Sequence, residues 1–527
     1  MTRSQRQSDV VVIGGGLAGL SAAADLAGAG LTVTLLEARP WLGGATCSFA
    51  RRGLTIDNGQ HAFMRCCRAY QDLLRRLGSL DSCAMQDRFE LAVLGPRDQL
   101  IVRRSALPAP LHLTGALAGY RLLSPAQRAR AAAAAAALRF SSHAGRRADD
   151  VSLGDWLAAH GQDDMSRRLL WDLLSVTALG ITSDHADRAL VASAATRALF
   201  TGRASADIGV PAVPLSKLHG APAATLLNQR GVRLRLGTKA AGVRVAAGGG
   251  YDVRLDRYAP AAGELETAGG APVLDARAAL TGGPEIIHAA GVVLAVPAWA
   301  AVPLAPAELA PDAERWQQLK PSPVLSLHVI YASQVTELPF AAAVGSPVRW
   351  VMDKTRPAGL HTGQYLAASV PAAEKYLDWP VSRLGAELLP ELERLFPAAA
   401  DTDVEDFFVT RERRAVIRQV PGSQPLRGSQ PAGLPGLALA GAWTDTGWPD
   451  TMEGAVRSGH LAALKVAGEL SSELASEVAS EVASEVAEPP GPLALPPAPT
   501  GTALRGVVVR PPAGLARAGA HDFPGPE

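Results

Sequence analysis

The sequence predicts an α/β fold built on a doubly wound parallel sheet, and three features near its start carry that reading. Asp9–Ile13 is a short apolar run with the character of a buried strand. Leu17–Ala29 follows with small and apolar residues at helical spacing, and Gly30 stops it. Leu31–Leu36 is a second apolar run. Strand, helix and strand in this order make a βαβ unit, which requires a parallel pair joined by a right-handed crossover.

The rest of the chain alternates between two textures. A short amphipathic helix is expected over Tyr70–Leu77, ending at Gly78, and mostly helical segments from Leu80 to about Ile208. Pro125 starts one of these after Ser124, and Ala131–Ala137 is strongly helix-forming. Strand character returns at Val232–Leu236, Gly242–Val245 and Val292–Val296, the last closed by Pro297. Ala246–Gly283 reads as a loop or a weak hairpin. Leu325–Tyr331 alternates like an antiparallel strand, Leu437–Ala440 is a last buried strand, and a helix covers about Glu453–Leu470. Beyond that, Ser472–Ala487 repeats Ser-Glu-Val-Ala, setting Glu473, Glu477, Glu481 and Glu485 on one helical face. Like charges at that spacing oppose a helix, and Pro489–Pro499 forbids its continuation, so a disordered tail is expected.

Bulk composition excludes several classes. The 527 residues are too many for one simple core, so more than one domain is expected. Lys+Arg number 51 against 50 Asp+Glu, a balance that recruits no nucleic acid. The four cysteines, Cys47, Cys66, Cys67 and Cys83, form no C-x-x-C pair; the expectation is a reduced, cytoplasmic protein. Met1–Asp9 has no signal-peptide apolar run, and no apolar stretch is long enough to span a bilayer. Attachment at the inner membrane face stays open. No metal-ligand cluster is expected.

The sharpest local signal is Gly14-x-Gly16-x-x-Gly19 between the first strand and helix. Gly14 allows the tight turn, Gly16 admits a pyrophosphate to the backbone, and Gly19 lets the helix pack on the sheet. Leu17 and Ala18 open the helix, whose N-terminal amides favour phosphate. Glu37 and Ala38 close the second strand, where an acidic side chain accepts from a ribose hydroxyl. The pair Gly43-Gly44 follows, lacking Cβ atoms beside a flat ligand. At the far end come Leu437–Gly441, Trp443–Pro449 and Met452-Glu453-Gly454-Ala455: strand, glycine turn and helix start.

These pieces resemble the glycine pair and the C-terminal flavin segment of the flavin amine-oxidase and carotenoid-desaturase superfamily. The resemblance implies FAD as cofactor, held by Gly14, Gly16, Leu17, Ala18, Gly19, Glu37, Ala38, Gly43, Gly44, Gly441, Trp443, Met452, Glu453, Gly454 and Ala455. It departs at Ala45, where the superfamily commonly has Arg, and at Ala442, where members often have Asp. It implies a Rossmann-like FAD-binding domain from about residues 1–80, 210–300 and 415–468, an interleaved α+β substrate domain from 81–209 and 301–414, and a tail over 469–527.

Asp57-Asn58-Gly59-Gln60-His61-Ala62-Phe63, Cys66-Cys67, Leu107–Leu113 and Trp443–Pro449 are similar to the hydroxysqualene dehydroxylase family, over Asp9–Leu470. That likeness implies reductive dehydroxylation of hydroxysqualene to squalene in hopanoid or isoprenoid synthesis, with an electron donor the sequence does not identify. An allylic alcohol needs a proton to lose its oxygen, and Asp57, His61 and Asp445 are the candidate donors. Each has a plain alternative: His61 holding a loop carbonyl, Asp57 capping the Asn58-Gly59 turn, and Asp445 offsetting Ala442. Trp443 and Trp448 face either the flavin, the substrate tunnel or the core. Cys66 and Cys67 read as small buried residues. Leu111–Leu123 and Leu169–Leu179 line an entrance, rest on a bilayer, or form core. The rivals are a polyene desaturase, a flavin amine oxidase, and a prenyl carrier of the GDP-dissociation-inhibitor type, which would be colourless.

Overall fold

The computed structural model describes residues 8–141, 151–257, 285–431 and 433–470. The opening βαβ unit forms as expected, with β1 over Ser8–Ile13, α1 over Leu17–Gly28 and β2 over Val33–Glu37. Every residue of β1 and β2 is buried, as an apolar run must be when both faces of its sheet are covered. The parallel order is Arg233–Leu236, β2, β1, the end of Glu285–Leu294, and Leu437–Leu439. Strand order reverses at β1, so the crevice beyond its carboxyl end is the topological switch point where doubly wound sheets bind ligands. The glycine turn begins there.

Two apolar layers sandwich the sheet. On one face lie α1 (Leu20, Ala23, Leu26), Leu227 and the helix Met452–Leu470 (Ala462, Val466). On the other lie the antiparallel strands Thr238–Val245 and Tyr251–Arg257 with Ala301, Leu304 and Trp316. The helices α1 and Met452–Leu470 touch backbone to backbone: a Cβ on Gly459 would stand 2.2 Å from the Ala18 carbonyl oxygen.

A second, seven-stranded sheet runs Val404–Ile417, Pro321–Tyr331, Gln364–Pro371, Trp350–Asp353, Phe340–Ala343, Glu90–Leu94 and Gln99–Arg103. All its pairs are antiparallel except Phe340–Ala343 with Glu90–Leu94. The helix Val381–Leu395 covers one face through Leu384, Leu388, Leu392 and Leu395.

The region 80–208 is less helical than expected. Cys83–Met85, Glu90–Leu94 and Gln99–Arg103 are strands, and the last two form a hairpin closed by Gly95 N–H to Asp98 O. The alternation that buries Leu91 and Val93 was present but spans too few residues to outweigh the helical texture downstream. The described remainder is mostly helical, as expected, with Trp171, Leu179 and Leu190 in one cluster around Leu153 and Leu157. Leu169–Leu179 thus packs largely as core, and Tyr120 and Leu123 are also buried, whereas Leu107 and Leu111 are about half exposed. Of the stretch 246–283, expected to be a loop or weak hairpin, the described part is a turn at Ala246–Gly250, Ala246 N–H donating to Gly250 O, followed by the strand Tyr251–Arg257 of the first sheet. Residues 258–284 and the low-complexity tail from 471 onward lie outside the described residues; Glu469 and Leu470 complete the last helix. Among the described residues no helix is long and apolar enough to cross a membrane.

Candidate functional site

The glycine turn is shaped by the protein on two sides and left open on the third. Gly14 has φ +110°, and a Cβ there would meet the Ala295 carbonyl oxygen at 2.3 Å. A Cβ on Gly19 would lie 1.9 Å from the Gly14 oxygen, which is the tight helix-to-sheet packing expected. Gly16 differs: the only atom near its missing Cβ is the Gly44 Cα at 3.9 Å, so the position faces open space. Gly16 also caps α1 without a side-chain hydrogen bond, and no acidic residue stands in the first turn of Leu17 and Ala18. A helix end left this way is a ready anion site.

Glu37 sits behind the turn with both oxygens bonded to backbone. Oε2 accepts from Gly15 N–H at 2.7 Å and Oε1 from Arg39 N–H at 2.8 Å, with Ala38 half-buried beside them. Burial pushes this carboxyl above its usual range, and the amides of Arg39 and Gly15 partly counter it. Glu37 therefore braces the turn through both oxygens. The glycine pair serves the backbone too. Gly43 N–H donates to Gly15 O at 2.8 Å, and a Cβ on Gly44 would stand 2.9 Å from Gly16 Cα. The first and second glycine motifs are thus one structure, because only Cβ-free residues permit so close an approach.

In the C-terminal segment the side chains of two expected cofactor residues are engaged within the protein. Trp443 is 3% exposed, edge-on to Trp316 at 5.4 Å, with Nε1–H donating to Val296 O. A large indole finds more apolar surface in the core than at a polar loop. The carboxylate of Glu453 likewise points inward. It accepts from Ala69 N–H and Tyr70 N–H at 3.3 and 2.8 Å, satisfying the start of helix Arg68–Leu77, and from Arg457 Nε–H. The start of Met452–Leu470 is partly satisfied by Thr451, whose Oγ1 accepts from Gly454 N–H at 3.2 Å, while Ala455 N–H donates to Thr451 O. Gly441 turns the chain at φ +142°, its N–H held by Ser458 Oγ. Trp448 lies between the guanidinium groups of Arg197 and Arg457, 4.9 and 5.1 Å from its ring centre.

The three proton-donor candidates are each engaged. Asp57 is 2% exposed: Oδ1 accepts from Ser48 Oγ–H and Leu215 N–H, and Oδ2 pairs with Lys354 Nζ at 2.7 Å. It caps no Asn58-Gly59 turn and is held as the acceptor of a buried ion pair. Lys354→Met is expected to cost about 3–5 kcal/mol, because it strands a buried charge, whereas adding Asp57→Asn should recover most of that loss. Urea midpoints of the single and double variants measure it. His61 donates Nδ1–H to Gly59 O at 3.0 Å, so the loop-carbonyl reading is realised. Burial lowers its pKa below 6.5, against the Gly59 contact and the charge of nearby Asp57. Asp445 closes a turn, its Oδ1 accepting from Gly447 N–H at 3.2 Å, on the Ala442–Trp448 loop.

Behind that strip stands a polar wall that the sequence did not disclose. His219 Nε2 and Tyr70 OH share a 2.8 Å hydrogen bond, and burial brings His219 down to about 3. His328 bonds Tyr365 OH and Thr410 Oγ1, which in turn donates to Asn58 O. On the Ala442–Trp448 loop, Arg427, only 2% exposed, likewise donates to the carbonyls of Ala442, Trp443, Thr444 and Trp448. A basic residue in a Gly/Gln/Ser-rich loop carries no local sign of such a role. The hydrogen bond of Cys67 with Cys66 and its burial push its thiol well above the usual range. Among the described residues no group of His, Cys, Asp or Glu gathers to hold a metal.

An open glycine turn at a switch point, an uncapped helix start and a buried acceptor at the end of β2 define a dinucleotide-binding oxidoreductase. The chain belongs to the flavin-containing amine oxidoreductases, whose family pattern matches residues 17–467, and its cofactor is FAD. The hydroxysqualene dehydroxylase of Rhodopseudomonas palustris is 28% identical over 472 residues, covering 86% of this chain and 97% of that protein. The chloroplastic/chromoplastic zeta-carotene desaturase of Zea mays is 26% identical, covering 87% and 83%. The solved structure of cyclohexylamine oxidase from Brevibacterium oxydans superposes with a TM-score of 0.64 over 88% of this chain and 99% of its own at 18% identity, a likeness of fold.

Proposed function

We propose that the chain reductively dehydroxylates an allylic triterpene alcohol, hydroxysqualene, to squalene. The observation that carries this reading is the end-to-end match to hydroxysqualene dehydroxylases, which spans 97% of those relatives in two species. FAD, when bound, supplies two-electron hydride chemistry. The residues that would hold it, on this reading, are those of the joined glycine motifs, Glu37 and the turn at Gly441. In the reaction the allylic C–O bond breaks, hydride takes the oxygen's place on carbon, and the hydroxyl leaves as water after gaining one proton. Each turnover consumes one hydride and one proton, and a cellular two-electron donor must restore the hydride.

The chain's own task is to keep water from an allylic cation and to bring one proton to the departing oxygen. Asp57, bonded to Lys354, supports the site, and of the three candidates His61 is proposed as the proton carrier through Nε2. Since its pKa is below 6.5, the protonated fraction grows as pH falls. Single-turnover rates should therefore rise as pH drops below neutrality, and His61→Gln should abolish that rise; equal profiles would remove His61 from the role. The amine-oxidase rival loses ground because Trp443 is in the core and Trp448 is flanked by arginines, so they form no aromatic pair. The half-exposed Leu107 and Leu111 fit a brief membrane contact to collect an insoluble substrate.

The test is anaerobic. Photoreduced protein is given hydroxysqualene in detergent while flavin reoxidation and extracted lipid are followed. Squalene forming in step with reoxidation supports the proposal. Flavin that stays reduced refutes it and turns attention to polyene desaturation by the oxidised protein.

A further inference from the structure

Gln60 carries the one polar side chain of the Asp57–His61 strip that the protein leaves unanswered. Its Oε1 and its Nε2 are both buried, and neither has a hydrogen-bond partner among the described residues. Its neighbours are all satisfied: Asp57 by Ser48, Leu215 and Lys354, His61 by the Gly59 carbonyl, and Asn58 by Cys47 O and Thr410. A buried amide group left unpaired costs about 1–3 kcal/mol per polar atom, so such a side chain implies a ligand group that returns the bonds.

The position of the strip says where that ligand lies. Asn58 N–H donates to Cys47 O, and Asn58 Nδ2–H reaches Ala45 O at 3.5 Å, so the strip rests on the chain directly after Gly43-Gly44. Asn58 Nδ2–H also reaches Glu412 of the second sheet. Asn58 therefore ties the chain after the glycine pair to the second sheet, and Gln60 lies two residues beyond that junction. A carboxamide offers one acceptor and one donor side by side. A hydroxyl, which accepts and donates through the same oxygen, answers both.

We propose that Gln60 holds the hydroxyl of the substrate alcohol, Nε2–H donating to its oxygen and Oε1 accepting its hydrogen. The proposal rests on the dehydroxylase reading. It also gives the site a way to tell substrate from product. A hydrocarbon lacking the hydroxyl leaves both amide atoms unpaired, so binding turns unfavourable once the oxygen has departed. Gln60 is thus a positioning and specificity residue, with no proton of its own to give.

The experiment uses purified, flavin-loaded, oxidised protein, which binds without turnover. Hydroxysqualene and squalene are titrated in the same detergent, with the flavin absorption band as readout, for wild type, Gln60→Leu and Gln60→Glu. Wild type should bind the alcohol roughly tenfold or more tighter than the hydrocarbon, one lost bond pair being worth about that factor. Gln60→Leu should lose the preference, binding squalene at least as tightly as wild type and the alcohol more weakly; Gln60→Glu, which still accepts, should keep part of the preference. Flavin content and the unliganded spectrum should match wild type in both variants. An alcohol preference that survives Gln60→Leu overturns the assignment. So does loss of flavin or a shifted unliganded spectrum, which would place Gln60 on the cofactor instead. Wild-type protein that converts hydroxysqualene yet fails these binding tests sinks the Gln60 assignment alone; protein that never converts it sinks the dehydroxylase reading first.

Discussion

Gly16→Val is expected to give a folded protein that purifies without colour. The Gly16 backbone, at φ −77° and ψ 177°, is open to any residue, and its Cβ would meet only Gly44 Cα at 3.9 Å. The added methyls would instead fill the space before the α1 N-terminus, where a pyrophosphate has to approach the backbone. Affinity for FAD should fall roughly a hundredfold or more, about 3 kcal/mol, while the unfolding midpoint of the apoprotein stays near that of wild-type apoprotein. The control is Gly19→Val, whose Cβ would lie 1.9 Å from Gly14 O and should prevent folding. Absorbance at the flavin band against protein absorbance, together with circular dichroism melts, reads both. A yellow Gly16→Val protein at full stoichiometry would mean that the phosphates do not lie against this turn.

The second large effect is expected at Arg427. Its guanidinium gathers four carbonyls of the Ala442–Trp448 loop and so fixes the turn that begins at Gly441. Burial pushes its pKa below the arginine range, and Asp450, Asp445 and Asp187 counter part of that effect. Arg427→Met leaves those oxygens without donors inside the protein. About 3–5 kcal/mol of stability should be lost, with a matching fall in flavin retention. Arg427→Lys keeps the charge but not the planar fork of donors, and should recover less than half. Denaturant midpoints with and without added FAD would show it. A midpoint within about 0.5 kcal/mol of wild type would mean that the loop holds itself.

The two predictions differ in how far they were readable beforehand. Gly16 was identified from its spacing between Ile13 and Gly19, because that motif depends on neighbours a few residues away. Arg427 was invisible, since four of its acceptors are backbone carbonyls that any sequence would supply and the fifth is the nearby Gln424 amide oxygen. Glu453 and Trp443 show the intermediate case. The segment was recognised as strand, turn and helix, and it forms that way, yet both side chains are bonded inside the protein. Glu453 found the open amides of helix Arg68–Leu77, and Trp443 found Trp316.

What the sequence by itself determined is the βαβ start, the glycine turn and its acidic neighbour, the late buried strand with its helix, and through them the flavin class. These follow from backbone sterics, apolar periodicity and helix-end electrostatics, which act over a turn or two of chain. Tertiary structure alone decided that Gly43-Gly44 locks onto Gly15-Gly16, that Asp57 is paired with Lys354, and that Gln60 is left with two open bonds. A buried polar group takes whatever partner the packing brings within about 3 Å, and composition offers many equivalent partners, so only the folded chain chooses among them.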